Sequence, residues 1–141
     1  MKLAKPLRAL GLAGVLSAGP AGADIVTVVA TDNPVDTLSR SEVSNIFLGK
    51  TRQFPDGRPA RPIDQPETSP GRTAFYIAIS NKQPAELKAY WSKMIFTGRG
   101  QPPPIVVDDE AVKARLARHP DAIGYIDDAA LDARVKVVNV R

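Results

Sequence analysis

The residues best suited to chemistry lie in one stretch, PARPIDQPETSPGRTAFYIAI, residues 59–79. A short extended run, Ala60 to Asp64, leads into a polar loop, Gln65 to Ser69, and Pro70 opens an amphipathic helix. Ser69 is placed to be the N-cap, and Pro70 sits at the first helical position, where its missing N–H costs nothing. Gly71, Arg72 and Thr73 then fill the first turn. A helix start of this kind can hold an anion: free N–H groups point outward, the helix dipole favours negative charge, and hydroxyls and a guanidinium stand nearby. The predicted ligand residues are Gln65, Ser69, Gly71, Arg72 and Thr73. Ser69 and Thr73 would give hydroxyls, Gly71 and Arg72 backbone N–H groups, and Arg72 its charge. The same residues also describe an ordinary capped helix start, and local sequence does not separate the two readings.

The other chemical candidates carry less. His119 is the only histidine and there is no cysteine. That leaves no set for a metal site or for Ser/His or Cys/His nucleophilic chemistry, so neither an enzyme nor a cofactor is expected. Asp108, Asp109 and Glu110 stand where a helix start wants caps and dipole partners. Asp127 and Asp128 follow a strand, a legitimate ligand position in α/β sheets, and they also read as a solvated turn. Tyr90, Trp91, Met94 and Ile95 recur at helical spacing and read as core packing, with Trp91 alternatively covering an exposed patch. The run Gln101 to Pro104 reads as a stiff connector or a docking edge for a partner.

Residues 1–23 carry the pattern of an export signal. Lys2, Lys5 and Arg8 precede a short apolar run, Ala9 to Ala18, and Ala21-Gly22-Ala23 forms an A-x-A cleavage site. The run is too short to span a bilayer. The expected mature domain is therefore 24–141, exported to a periplasm and not inserted in a membrane. Export also changes the charge argument. The full chain carries 19 Lys and Arg against 15 Asp and Glu, and three of the basic residues lie in the signal, leaving a mature net charge of +1. With no basic run or aromatic interleaving, a nucleic-acid partner is not expected.

The elements that must position the junction alternate. Asp24 to Ala30 is β-branched and reads as a strand, ended by Thr31-Asp32-Asn33-Pro34. Leu38 to Leu48 reads as a helix with a capping box, Ser39 and Glu42, closed by Gly49. The helix from Pro70 is expected to bury Ala74, Phe75, Ile77 and Ala78. A further helix starts at Gln83-Pro84. Ile105 to Val107 reads as a strand, Asp108 caps a helix over 109–118, and Ala122–Ile126 and Val135–Val140 read as strands. This order predicts an α/β fold: one lobe, three-layer-like, with a mainly parallel sheet.

Several segments together resemble the phosphate-binding component of bacterial ABC importers, a type II periplasmic binding protein. They are DNPVDTLSRSEVSNIFLGK (32–50), ETSPGRTAF (67–75), the Tyr90-Trp91 helix and HPDAIGYID (119–127). The resemblance implies a periplasmic-binding-protein-like lobe, the second in chain order of a two-lobed architecture, with phosphate or another small anion as ligand and a permease or a second copy as partner. It places the family's anion loop on Glu67 to Thr73, with Ser69 at the serine of the family's S-G-T. The following glycine becomes Pro70 and the threonine becomes Gly71. The arginine that full members place four residues before that serine becomes Gln65, which removes a bidentate charged partner. One lobe also leaves an anion half exposed, where charge pairs are worth little. Weak anion binding at the helix start is therefore expected, with a protein–protein or regulatory module that has lost ligand binding as the alternative.

Overall fold

The computed structural model describes residues 24–141, and the predicted signal at 1–23 lies outside the described residues. Strand β1 (Ile25–Ala30) is followed by the two-residue β2 (Thr37–Leu38) and helix α1 (Arg40–Phe47). Then come β3 (Arg61–Pro62), α2 (Pro70–Ser80), α3 (Pro84–Phe96), α4 (Asp109–Arg118), β4 (Ala122–Asp127), β5 (Val135–Val137) and β6 (Asn139–Val140).

The main sheet has the order β3-β4-β1-β5, and β2 pairs with β6 beside it. β3 runs parallel to β4, while β1 is antiparallel to both β4 and β5. Thus β3, β4 and β5 share one direction, and the reversed β1 lies inside the sheet. The mainly parallel expectation holds by strand direction. The reversed strand was not legible, because a parallel and an antiparallel strand buried on both faces are written with the same apolar run.

Three layers follow from alternation along the strands. Ile123 and Tyr125 of β4 and Val29 of β1 face α1, α2 and α3. Ala122 and Ile126 of β4 and Val28 of β1 face α4, with Val112 and Leu116. The helix starts follow their caps. Ser39 Oγ accepts from the Glu42 N–H at 3.0 Å and Glu42 Oε1 accepts from the Ser39 N–H at 2.8 Å, completing the capping box. Asp108 Oδ1 accepts from the Ala111 N–H at 2.9 Å. Gly49 ends α1 with φ +73°, and an added Cβ would lie 3.3 Å from the Trp91 ring, so the left-handed turn and the close approach both require glycine.

Three expectations need correction. Helix α2 buries Phe75, Tyr76 and Ile79, while Ala74, Ile77 and Ala78 face outward. The face is rotated because the Tyr76 hydroxyl donates to the buried Asp64 at 2.8 Å, a tie that counting apolar residues cannot see. The predicted strand at Ile105 contracts to a single parallel bridge with Asp64. The last strand divides at Val138, whose N–H donates to the Thr27 carbonyl. Among the described residues no helix is long and apolar enough to cross a bilayer.

Candidate functional site

The junction forms as the sequence predicts locally. Ser69 is the N-cap of α2, and its Oγ accepts from the Arg72 N–H at 3.4 Å. That N–H also lies 3.1 Å from the Ser69 carbonyl, and the Thr73 N–H donates to the same carbonyl at 3.4 Å. The Gly71 N–H has no acceptor among the described residues. An added Cβ at Gly71 would stand 3.1 Å from Ile25 Cδ1, so the helix start rests against β1.

A cleft of about 910 Å³ opens at this point, lined by Gln65, Thr68, Ser69, Gly71, Val107 and neighbouring residues. It lies beyond the C-terminal ends of β3 and β4, where ligands of α/β sheets commonly sit. Of the predicted residues, Gln65, Ser69 and Gly71 line it, whereas Arg72 and Thr73 do not.

Two of the predicted ligand residues, Arg72 and Gln65, have their side chains turned into the protein. Arg72 Nε donates to Asp64 Oδ1 at 3.2 Å, with the Arg72 side chain 12% and the Asp64 side chain 2% exposed. The guanidinium carbon also lies 5.3 Å from the Tyr76 ring centroid. Gln65 is 5% exposed. Its Nε2 donates at 2.9 Å to Asp109 Oδ1 and at 2.9 Å to the Tyr125 carbonyl. Its backbone N–H donates to Asp64 Oδ1 at 2.8 Å. Both tyrosine hydroxyls, of Tyr76 and Tyr125, donate to Asp64 as well.

Asp64 is therefore the centre of a buried network that sequence reasoning missed. A carboxylate 1% exposed is tolerable only when it is fully hydrogen-bonded and charge-compensated. Arg72, Tyr76, Tyr125 and the Gln65 amide supply that compensation. Burial first, and then the Asp64 charge, push the Tyr76 and Tyr125 hydroxyls well above the ordinary phenol range, so both remain donors.

The cleft rim has the opposite character from the one expected. Asp108, Asp109, Glu110 and Asp127 line it, with Lys113 as the only cation among the described residues. Lys113 is already paired, at 3.0 Å with Asp132 and at 3.3 Å with Glu110. Arg134 lies 2.8 Å from Glu110 and 2.7 Å from Asp132. Hydrogen bonds from Arg134, then Lys113, hold Glu110 below its ordinary range. Asp132, bonded first by Arg134, is held lower still. Beside them, desolvation and then the charges of Asp24 and Asp127 raise Asp128. Among the described residues no group of three His, Cys, Asp or Glu is arranged to hold a metal ion.

A second cavity, of about 570 Å³, lies at the other end of the same strands, where Arg61 and Ala122 begin β3 and β4. Trp91 lines it and is 6% exposed, and its Nε1 is buried with no acceptor. Such an orphaned donor costs about 1–3 kcal/mol.

No family model matches the sequence, and no curated protein matches it. Solved structures do. A protein described as a phosphate ABC transporter substrate-binding protein with bound phosphate, from Clostridium perfringens, superposes with a TM-score of 0.64 at 23% identity, over 82% of this chain and 44% of that one. An ABC-type phosphate transport receptor from Vibrio cholerae gives 0.64 at 18% identity, over 82% and 45%. PstS from Borrelia burgdorferi gives 0.62 at 12%, over 83% and 47%. The chain thus spans less than half the length of these structures. At such identities the likeness is one of fold: this chain has the α/β fold of phosphate-transporter substrate-binding proteins.

Proposed function

We propose that the chain is an exported, non-catalytic binding module of the periplasmic-binding-protein type, and that its recognition element is the cleft at the Gln65–Thr73 junction. It would work in the periplasm beside a permease or another protein of the envelope. Two lines support the reading: the fold shared with phosphate-transport receptors, and a helix start at the C-terminal ends of the strands that keeps one unpaired N–H, at Gly71.

The observation that decides the strength of binding is the inward turn of Arg72. Its Nε is bonded to Asp64, its side chain is 12% exposed, and it does not line the cleft, so its charge is directed to the interior. A phosphate at the cleft would meet the Gly71 N–H and the hydroxyls of Ser69 and Thr68 in the presence of four rim carboxylates. Repulsion from those carboxylates opposes the anion across the cleft mouth. Affinity for inorganic phosphate is therefore no tighter than about 1 mM, or about −4 kcal/mol.

The acidic rim favours a second reading for the same cleft. Val107 is 73% exposed beside Asp108, Asp109 and Glu110, an apolar residue within a negatively charged margin. A partner surface that brings its own cations and covers Val107 complements this cleft better than a free anion does. Isothermal titration of the purified protein and of Ser69→Ala with phosphate and sulfate, together with light scattering from 10 to about 500 µM protein, tests both readings. Millimolar, Ser69-dependent heat supports a small-anion module. No heat with a concentration-dependent mass supports the interaction module. No heat with a constant monomer mass rejects the anion reading and the second copy together.

A further inference from the structure

We propose a second binding site, in the cavity at the N-terminal ends of β3 and β4, for a small amphiphilic anion: an apolar body carrying one carboxylate. The site is independent of the Gln65–Thr73 cleft, which lies past the opposite ends of the same strands. Its volume of about 570 Å³ is that of a small organic ligand site.

Three features select the ligand chemistry. The first is the wall. Ile46 and Phe47 of α1, Trp91 of α3, Ile63 and Pro103 form the apolar part of the lining, beside a polar part that includes Thr51 and Gln101. The run Pro102 to Pro104 fixes one side, because proline leaves little backbone freedom. A small, strongly hydrated anion such as phosphate would leave this wall uncovered.

The second is the mouth, which carries Arg52, Arg61, Arg115 and His119 and no carboxylate. Arg61 is paired with Asp121 at 2.9 Å. Arg52 and Arg115 have no carboxylate within ion-pair distance among the described residues. They come from different elements, the loop after α1 and the last turn of α4, and the fold brings them to one opening. A neutral apolar ligand would leave both guanidinium groups without a counter-charge, whereas a carboxylate can be held by either fork.

The third is Trp91. Among the described residues its Nε1 is the only buried side-chain nitrogen or oxygen without a hydrogen-bond partner. Native structures rarely leave a buried donor unmatched without a reason. The Trp91 side chain lines the cavity, so a ligand seated there would lie against it.

Trp91 is also the only tryptophan, so its fluorescence reports this site alone. The full chain is titrated with sodium octanoate and, separately, with octanamide, which keeps the apolar body and lacks the charge. Octanoate should give a saturable change in Trp91 emission at submillimolar concentration, with octanamide about tenfold weaker. The double variant Arg52→Gln/Arg115→Gln, both arginines lying at the mouth, should keep its thermal unfolding curve and lose about tenfold in octanoate affinity. Equal binding of the two probes, unchanged binding by the double variant, or no saturable change up to 10 mM octanoate (about −2.7 kcal/mol) overturns the proposal.

Discussion

The two ends of the same strands carry opposite sites. At the C-terminal end, where binding in this kind of sheet is expected, the cleft is rimmed by Asp108, Asp109, Glu110 and Asp127, and its one well-placed guanidinium is spent inside the protein. At the N-terminal end, a cavity of mixed polarity carries Arg52 and Arg115, which have no carboxylate partner among the described residues. The comparison teaches that one sheet can present opposite charge at its two ends. What a helix start binds depends less on its free N–H groups than on where the nearest guanidinium is committed.

The sharpest way to break the comparison is to remove Asp64. Asp64→Ala leaves Arg72 charged and partly buried without a counter-ion and removes the acceptor of two tyrosine hydroxyls. It should cost about 3–5 kcal/mol and lower the Tm by more than about 10 °C. A loss under about 1 kcal/mol in chemical denaturation would show that the network does not hold the cleft end together.

A smaller effect is expected at the buried face of α4. An added Cβ at Gly124 would come within 2.7 Å of Val112 Cγ1, with Leu116 Cδ1 at 3.7 Å. Gly124→Ala should therefore cost about 1–3 kcal/mol by overpacking, read as a lowered denaturation midpoint.

The rim of the cleft can be neutralised without touching its helix. Asp108→Asn keeps an N-cap of equal quality, and Glu110 is a largely exposed acid. The double variant Asp108→Asn/Glu110→Gln should tighten phosphate by only a few-fold, about 0.2–1 kcal/mol, measured by titration calorimetry. A hundredfold gain would mean that rim charge alone, rather than the committed Arg72, weakens the site.

The smallest effect is a pH dependence. Glu110 and Asp132 both titrate below their ordinary values of 4.5 and 3.8 because Arg134 and Lys113 hold them ionised. A depressed carboxylate stabilises the fold above its ordinary value and loses that contribution as pH falls through its folded value. Asp128 is raised and acts in the opposite sense, favouring the fold as it protonates on acidification. Thermal melts from pH 6 to about pH 2 should thus show acid destabilisation from the first pair, and Asp132→Asn should reduce that acid drop. An identical acid drop in the variant would count against this ion-pair cluster.

Much of the scaffold was legible. The capping box of α1, the cap at Ser69, the cap at Asp108 and the buried strand Ala122–Asp127 all follow from local rules: side-chain oxygens at helix starts, and a short apolar run between turns. The rotated face of α2 was not legible, because Tyr76 is buried through its hydroxyl's bond to Asp64 and not through its place in an apolar pattern. Nor was the direction of Arg72. It depends on a buried carboxylate eight residues earlier, whose burial is decided by β3, β4 and α2 together. The one local hint was an acid between Ile63 and Gln65 at the end of an extended run, beside a helix carrying an arginine in its first turn. The second cavity had only separate hints in the sequence, Trp91 as the cover of an exposed patch and Gln101 to Pro104 as a docking edge, and Arg52 and Arg115 join them only through the tertiary fold.

The Gly71 amide is the most direct reporter of the cleft. In a ¹H–¹⁵N correlation spectrum recorded during phosphate titration, its resonance should move gradually and stay short of saturation up to about 1 mM, with the Arg72 Nε–H resonance unmoved in its bond to Asp64. Saturation at micromolar phosphate, with the Arg72 signal shifting in step, would contradict the assignment of that guanidinium to the interior.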